Sequence, residues 1–227
     1  MPRRLKRLHP DNEHLEIADA MTDTRAERLA AVARQRQRGL MVLMEDVYNP
    51  FNLAAIARTC DAFGVQSLGF MCQSRDQFDP REAGALASRS AARWIDYHLY
   101  EGGTAAVLGA LRAQGWHLVA TDAAPDALPL PAAPLAHEKT VVLVGNEQHG
   151  LSQAALALAD TRVVIPMSGM VQSLNVSVAA ALVLYEVVQQ RARRGDLMYT
   201  PEESEALVRR WRAADSLPRR RRKTPEA

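Results

Sequence analysis

Ile165-Pro-Met-Ser-Gly-Met-Val-Gln-Ser-Leu-Asn-Val-Ser177 is the stretch that decides how this chain folds. It starts where the short apolar run 162–165 ends, and a long helix reaching about Arg194 follows it. A buried strand, a polar loop and a helix in that order make one α/β unit. Ser173, Asn175 and Ser177 set three small polar groups at alternating positions ahead of the helix. N-capping uses one or two such groups and leaves the run as a whole unexplained. A loop that offers backbone donors beside apolar side chains suits an adenine-bearing cofactor.

The same alternation extends outward. Apolar runs predict strands over 40–47, 67–72, 94–98, 116–121, 140–144 and 162–165. Helical patterns fall between and around them, over 23–38, 53–63, 81–93, 104–114, 152–159 and 201–214. Asn52 is placed to cap the second helix and Ser152 the helix at 152–159. The segment 122–134 holds five alanines and four prolines and reads as an irregular crossing. Strands that are continuous apolar runs, alternating with helices, predict an α/β fold with a parallel sheet covered on both faces. Ligands of such sheets bind outside the carboxyl ends of the strands, so the residues just after each strand carry the functional reading.

Composition narrows the function classes. The 227 residues are 48% hydrophobic and 24% charged, which excludes disorder for the bulk. No apolar run approaches the ~18 residues of a membrane span, and no apolar stretch follows the basic first ten residues as in a secretory leader. Cys60 and Cys72 are too few for a disulfide framework, and the expected compartment is the reducing cytoplasm. Six histidines show no metal-ligand spacing, so no metal is expected. The net charge of +2 is unevenly spread: about +3 over residues 1–40, −6 over 41–188 and +5 over 189–227. Two basic ends on an acidic body fit a polyanionic partner as well as solvated helix faces. Only three of the 28 basic residues are lysines, and arginine's planar fork suits phosphate.

Two further clusters follow predicted strands. In Asn49-Pro-Phe-Asn52-Leu-Ala-Ala-Ile-Ala-Arg58-Thr-Cys-Asp-Ala-Phe-Gly64, Arg58 sits among small neighbours. It either pairs with Asp61 at i,i+3 or leaves its guanidinium free for a phosphate. In Val144-Gly-Asn-Glu147-Gln-His-Gly150-Leu-Ser152, the glycines permit close backbone approach. Glu147 there either complements the following helix dipole or takes a donor partner. The dinucleotide turn GxGxxG, the phosphate loop GxxxxGK[ST] and the hydrolase elbow GxSxG are absent from the sequence. Ser173 is accordingly a poor hydrolase nucleophile.

Taken in order, the three clusters resemble the SpoU branch of the SPOUT RNA ribose 2′-O-methyltransferases. Asn52 to Gly64 is similar to N-x5-R-T-x-D-A-F-G, Gly145 to Ser152 to G-x-E-x-x-G-[LIV]-S, and Ile165 to Ser177 to I-P-M-x-G-x-x-x-S-L-N-V-S. The likeness covers roughly residues 24–200, and within the branch it is nearest to the members that methylate guanosine 18 of tRNA. One departure is Gln189, where the resemblance places an arginine. The alternatives are ribose methylation of rRNA or of another tRNA position, and a non-catalytic RNA-binding protein.

The resemblance implies a trefoil knot near the C-terminus, with loops at 121–125, 145–150 and 166–174 holding S-adenosylmethionine. Thr121, Gly145, Ile165 and Leu174, with Asn146, Gly150 and Met167 beside them, would line the cofactor. Arg58, Asn52, Glu147, Ser173 and Asn175 would be the catalytic set, and a homodimer would complete each site with Arg58 from the opposite subunit. The implied organisation is a basic extension and helix over 1–38, a knotted catalytic domain over 39–194 and a basic helix and tail over 195–227. Arg25, Arg28, Arg34, Arg36 and Arg38 at one end, and Arg191, Arg193 and Arg194 at the other, are the expected tRNA contacts.

Overall fold

In the computed structural model, which describes residues 25–72, 94–195 and 197–216, seven strands lie in one sheet. They are β1 Gln37–Glu45, β2 Val65–Met71, β3 Asp96–Tyr100, β4 His117–Thr121, β5 Leu128–Pro129, β6 Thr140–Val144 and β7 Thr161–Val164. The helices are α1 Arg25–Arg34, α2 Pro50–Ala62, α3 Thr104–Ala113, α4 Gln153–Leu158, α5 Val176–Arg194 and α6 Pro201–Ser216. The strand order is β3-β2-β1-β6-β4-β7-β5 and every pairing is parallel. The α/β class with a parallel sheet is thus present.

Side-chain alternation in the central strands explains the continuous apolar runs. Leu40, Val42 and Met44 of β1 enter one layer, while Met41 and Leu43 enter the other. Strand β6 divides in the same way, Val142 and Val144 against Val141 and Leu143. The first layer is closed by Leu53, Ile56 and Cys60 of α2 and by Ala180, Val183, Leu184 and Val187 of α5. The second is closed by Val107, Leu108 and Leu111 of α3 and Ala155 of α4. A strand buried on both faces has no polar side to alternate with.

A third cluster joins the chain's two basic ends. Ala33 of α1 packs with Leu207, Val208 and Trp211 of α6, and Trp94 meets Trp211 edge-on at 5.4 Å.

Several boundaries differ from the sequence reading, for physical reasons. Helix α1 stops at Arg34 and β1 starts at Gln37, because Gln37 N–H donates to the Gly64 carbonyl (2.8 Å) and Arg38 N–H to that of Leu197 (2.8 Å). Asn52 is not a cap. Asn49 is the N-cap of α2, accepting from Phe51 N–H at 2.9 Å, and Pro50 takes the first turn, where an N–H is not needed. The crossing at 122–134 contains β5 and a single 3₁₀ turn, Leu130–Ala132; proline is tolerated in β5 because it is an edge strand. The helix expected over 81–93, the start of the one over 23–38, and the tail lie outside the described residues.

Two expected RNA contacts are corrected. Arg36 is 0% and Arg191 1% exposed. Arg36 Nη2 bonds Asp61 Oδ1 at 2.6 Å and its guanidinium lies 5.1 Å over the Trp211 ring. Arg191 donates to Gln37 Oε1 (3.1 Å) and to the carbonyls of His137 (2.6 Å) and Arg38. A buried guanidinium is tolerated only with such partners, and here they are the protein's own. Neither side chain is available to a phosphate.

Among the described residues no helix is long and apolar enough to cross a membrane, and no group of three or more His, Cys, Asp or Glu side chains is placed to hold a metal ion.

Candidate active site

Strands β6, β4 and β7 are neighbours, so the loops after them converge at one edge of the sheet. They wall a cleft of about 440 Å³. Thr121, Gly145, Asn146, Gly150, Ile165, Met167 and Leu174 all line it, together with Glu147 and Ser173. Asp122 and Gln172, inside the loops expected to hold the cofactor, line it too, as does Leu156, which nothing in the sequence singled out.

The loop after β6 is closed by its own backbone. Asn146 and Gly150 exchange N–H···O bonds of 3.0 and 2.9 Å, and Asn146 Oδ1 accepts from Gln148 and His149 N–H. A Cβ on Gly145 would lie 2.2 Å from the Gly150 carbonyl carbon, so only glycine allows this fold-back. Asn146 Nδ2 anchors the loop to the Asp46 carbonyl at 2.8 Å, just past β1. His149 is exposed on this loop.

A carboxylate that sequence reading missed holds the loop's far end. Glu45 is 2% exposed and accepts from Ser152 N–H and Ser152 Oγ, both at 2.8 Å, and from Thr104 Oγ1. It thereby fixes the starts of both α4 and α3. The acids Glu45 and Asp46 inside the otherwise apolar run 40–47 were the available signal. Arg162 fixes the loop after β4 in a similar way, reaching Asp122 at 2.7 Å and Asp126 at 3.0 Å.

Beside the cleft, the three sequence clusters meet through side chains. Asn52, 7% exposed, donates from Nδ2 to Glu147 Oε1 at 2.7 Å. Asn175 Nδ2 donates to Asn52 Oδ1 at 3.1 Å. Asn175 also caps α5, its Oδ1 accepting from Ser177 N–H (2.8 Å) and Oγ (2.6 Å). The cap is therefore Asn175, and Ser173 is left facing the cleft.

Arg58 is exposed on α2 and, among the described residues, makes no hydrogen bond or ion pair. The i,i+3 pairing with Asp61 is not formed, since Asp61 holds Arg36. Arg58 does not border the cleft of its own chain. Burial pushes the Cys60 thiol up to about 12, which removes it as a nucleophile. Arg25, Arg28, Arg34 and Arg38 are exposed at one basic end, and Arg193 and Arg194 at the other.

Fold and cleft together define the class: a parallel α/β protein with a cofactor-sized cleft where three neighbouring strands end. The sequence model of the SpoU rRNA Methylase family matches residues 39–185, and the chain belongs to that family. The tRNA (guanosine(18)-2′-O)-methyltransferase of Escherichia coli strain K12 is 38% identical over 184 residues, 81% of this chain and 77% of the relative. Among solved structures, the A. aeolicus TrmH/SpoU tRNA modifying enzyme superposes with a TM-score of 0.74 at 31% identity, over 86% of this chain and 98% of that one. The SpoU methyltransferase AviRb from Streptomyces viridochromogenes, solved in complex with AdoMet, gives 0.57 at 33% identity, over 70% of this chain and 60% of that one.

Proposed function

We propose that this chain is an S-adenosylmethionine-dependent methyltransferase acting on the ribose 2′-hydroxyl of guanosine 18 in tRNA. The observation that carries the reading is the bonded chain Asn175–Asn52–Glu147, which draws all three family motifs to the rim of one cleft. A binding module has no need of such a set there. The guanosine-18 assignment follows the named activity of the Escherichia coli relative.

The cleft fits the cofactor. Its volume lies in the range of small-molecule sites, and its walls combine the backbone of 145–150 with the apolar Ile165, Met167 and Leu174. Glu147 gives it an acidic border suited to a sulfonium cation, while the nearby Asp122 is paired with Arg162. When bound, S-adenosylmethionine supplies an electrophilic methyl group. The chain's own residues must then position and activate the ribose. A ribose hydroxyl is a poor nucleophile at neutral pH, so its proton has to be drawn off. A guanidinium is no ordinary base; Arg58 grips the adjacent phosphate, by way of which the hydroxyl proton passes to solvent water. Glu147 orients Asn52, and Ser173 and Asn175 position the ribose. Holding two substrates in line contributes several kcal/mol to such a transfer.

The proposal includes the assembly. Val178, Leu182 and Tyr185 form an exposed apolar stripe on α5, and Phe51 is 77% exposed at the start of α2. A second copy covers this face, and Arg58 of one protomer then completes the cleft of its partner. Residues 39–194 form the catalytic body, with a trefoil knot formed through the loops at 121–125, 145–150 and 166–174. Knots run against the general rule for chain connections, and the one proposed here rests on the family resemblance of the three motifs. The paired ends α1 and α6, with exposed Arg25, Arg28 and Arg34 on α1, Arg38 on β1 and Arg193 and Arg194 at the close of α5, bind tRNA in the cytoplasm.

The test is incubation with methyl-labelled S-adenosylmethionine and either unmodified tRNA or rRNA, followed by nucleoside analysis. Label in 2′-O-methylguanosine from tRNA alone is expected; label in rRNA, or in a base, contradicts the proposal.

A further inference from the structure

We infer that Arg36 is a positioning residue for the methyl transfer, acting by occupying Asp61 so that Arg58 remains free. This rests on the reading of Arg58 as the phosphate-gripping group.

Arg58 and Asp61 are three residues apart within α2, the spacing at which an arginine and an aspartate on a helix attract each other. They are not paired. Arg36, fully buried, reaches Asp61 Oδ1 with Nη2 at 2.6 Å and the Asp61 carbonyl with Nη1 at 3.3 Å. Trp211 of α6 lies under the Arg36 guanidinium. Among the described residues Arg36 Nε has no hydrogen-bond partner. A buried charge with one orphaned N–H is a costly device for stability alone. Its product is specific: the only acid within helical reach of Arg58 on its C-terminal side is neutralised by a group that cannot leave.

Removing the Arg36 charge returns Asp61 to Arg58, which folds back along the helix. The competing pair is worth what a partly exposed helical ion pair is worth, so kcat falls about two- to five-fold. KM for tRNA changes less, because the basic ends still bind.

The test uses the full-length protein, with kcat and KM measured for Arg36→Met, Asp61→Asn, the double variant and Arg58→Ala, well below each variant's unfolding temperature. Crystal structures of the first two accompany the kinetics. The expected pattern is a fall in kcat for Arg36→Met with Arg58 seated on Asp61, and wild-type kcat for both Asp61→Asn and the double variant. Asp61→Asn and the double losing as much as Arg36→Met would overturn the inference, because the bond itself would then be what matters. Asp61→Asn keeps the side-chain shape at a partly exposed site, so it decides the matter even if Arg36→Met does not fold. Full activity in Arg58→Ala would instead sink the underlying reading of Arg58.

Discussion

Asn52 on α2 and Glu147 in the loop after β6 are joined by a 2.7 Å hydrogen bond across 95 residues of sequence. Asn52 also accepts from Asn175, so one buried amide ties together the helix bearing Arg58, the cleft loop and the start of α5. Asn52→Ala is expected to lower kcat roughly tenfold, consistent with ~1.5–3 kcal/mol for a hydrogen bond to a charged group reduced by Glu147's exposure. Glu147→Gln retains an acceptor and should lose less. Steady-state kinetics check both; an unchanged kcat in Asn52→Ala would remove the link from the mechanism.

Gly145→Ala places a methyl 2.2 Å from the Gly150 backbone and must open the loop. Overpacking of this kind costs about 1–3 kcal/mol. Calorimetry should show S-adenosylmethionine binding weakened more than tenfold and a lowered Tm. Gly109→Ala, on α3 with nothing within 4 Å, is the control and should be neutral or slightly stabilising. Equal behaviour of the two variants would mean that the loop does not shape the cleft.

Arg28 and Arg34 are exposed, whereas Arg36 is buried in an ion pair. Replacing Arg28 or Arg34 by glutamine should weaken tRNA binding and reduce the salt dependence of log K by about one per lost phosphate contact. Arg36→Gln should lower the Tm and leave that slope unchanged. Filter binding over a range of salt separates the cases, and a flattened slope for Arg36→Gln alone would reverse the assignment.

The rings of His117 and His137 stack with centroids 3.6 Å apart. Burial, and then the charge of His137, pull the His117 pKa below 6.5, with Asp160 opposing. Below pH 6.5 the unfolded chain therefore takes up a proton at this site that the folded chain resists. Stability is retained above pH 6.5 and lost as pH falls through the lower folded value. His117→Gln, which can keep the bond to Thr161 Oγ1 (2.8 Å), should flatten this acid limb. Urea unfolding between pH 7.5 and 5 gives the answer, and identical slopes would contradict it.

Much of this was legible in the sequence because buried parallel strands leave continuous apolar runs. Six of the seven strands were placed within about three residues at each end. Leu128–Pro129 was missed because a two-residue edge strand between prolines has no pattern to detect. The cleft residues were reached through the resemblance of the three motifs, whose loops come after the strands that the apolar runs mark. Burial of the arginines was not legible, since an arginine spends its charge on carbonyls that only the fold brings near, as Arg191 does with His137 and Arg38. Glu45 was passed over because its partners Ser152 and Thr104 lie 107 and 59 residues away.

The central claim is that Arg58 and the cleft at 121, 145–150 and 165–174 act on one ribose oxygen. It is tested most directly by mapping 2′-O-methylation on unmodified tRNA for wild type and Arg58→Ala, with S-adenosylmethionine affinity measured in parallel. The account predicts methylation at guanosine 18 by wild type, and a loss of orders of magnitude in Arg58→Ala with cofactor affinity unchanged. Cofactor affinity falling in step with turnover, or an Arg58→Ala protein that methylates normally, would contradict it.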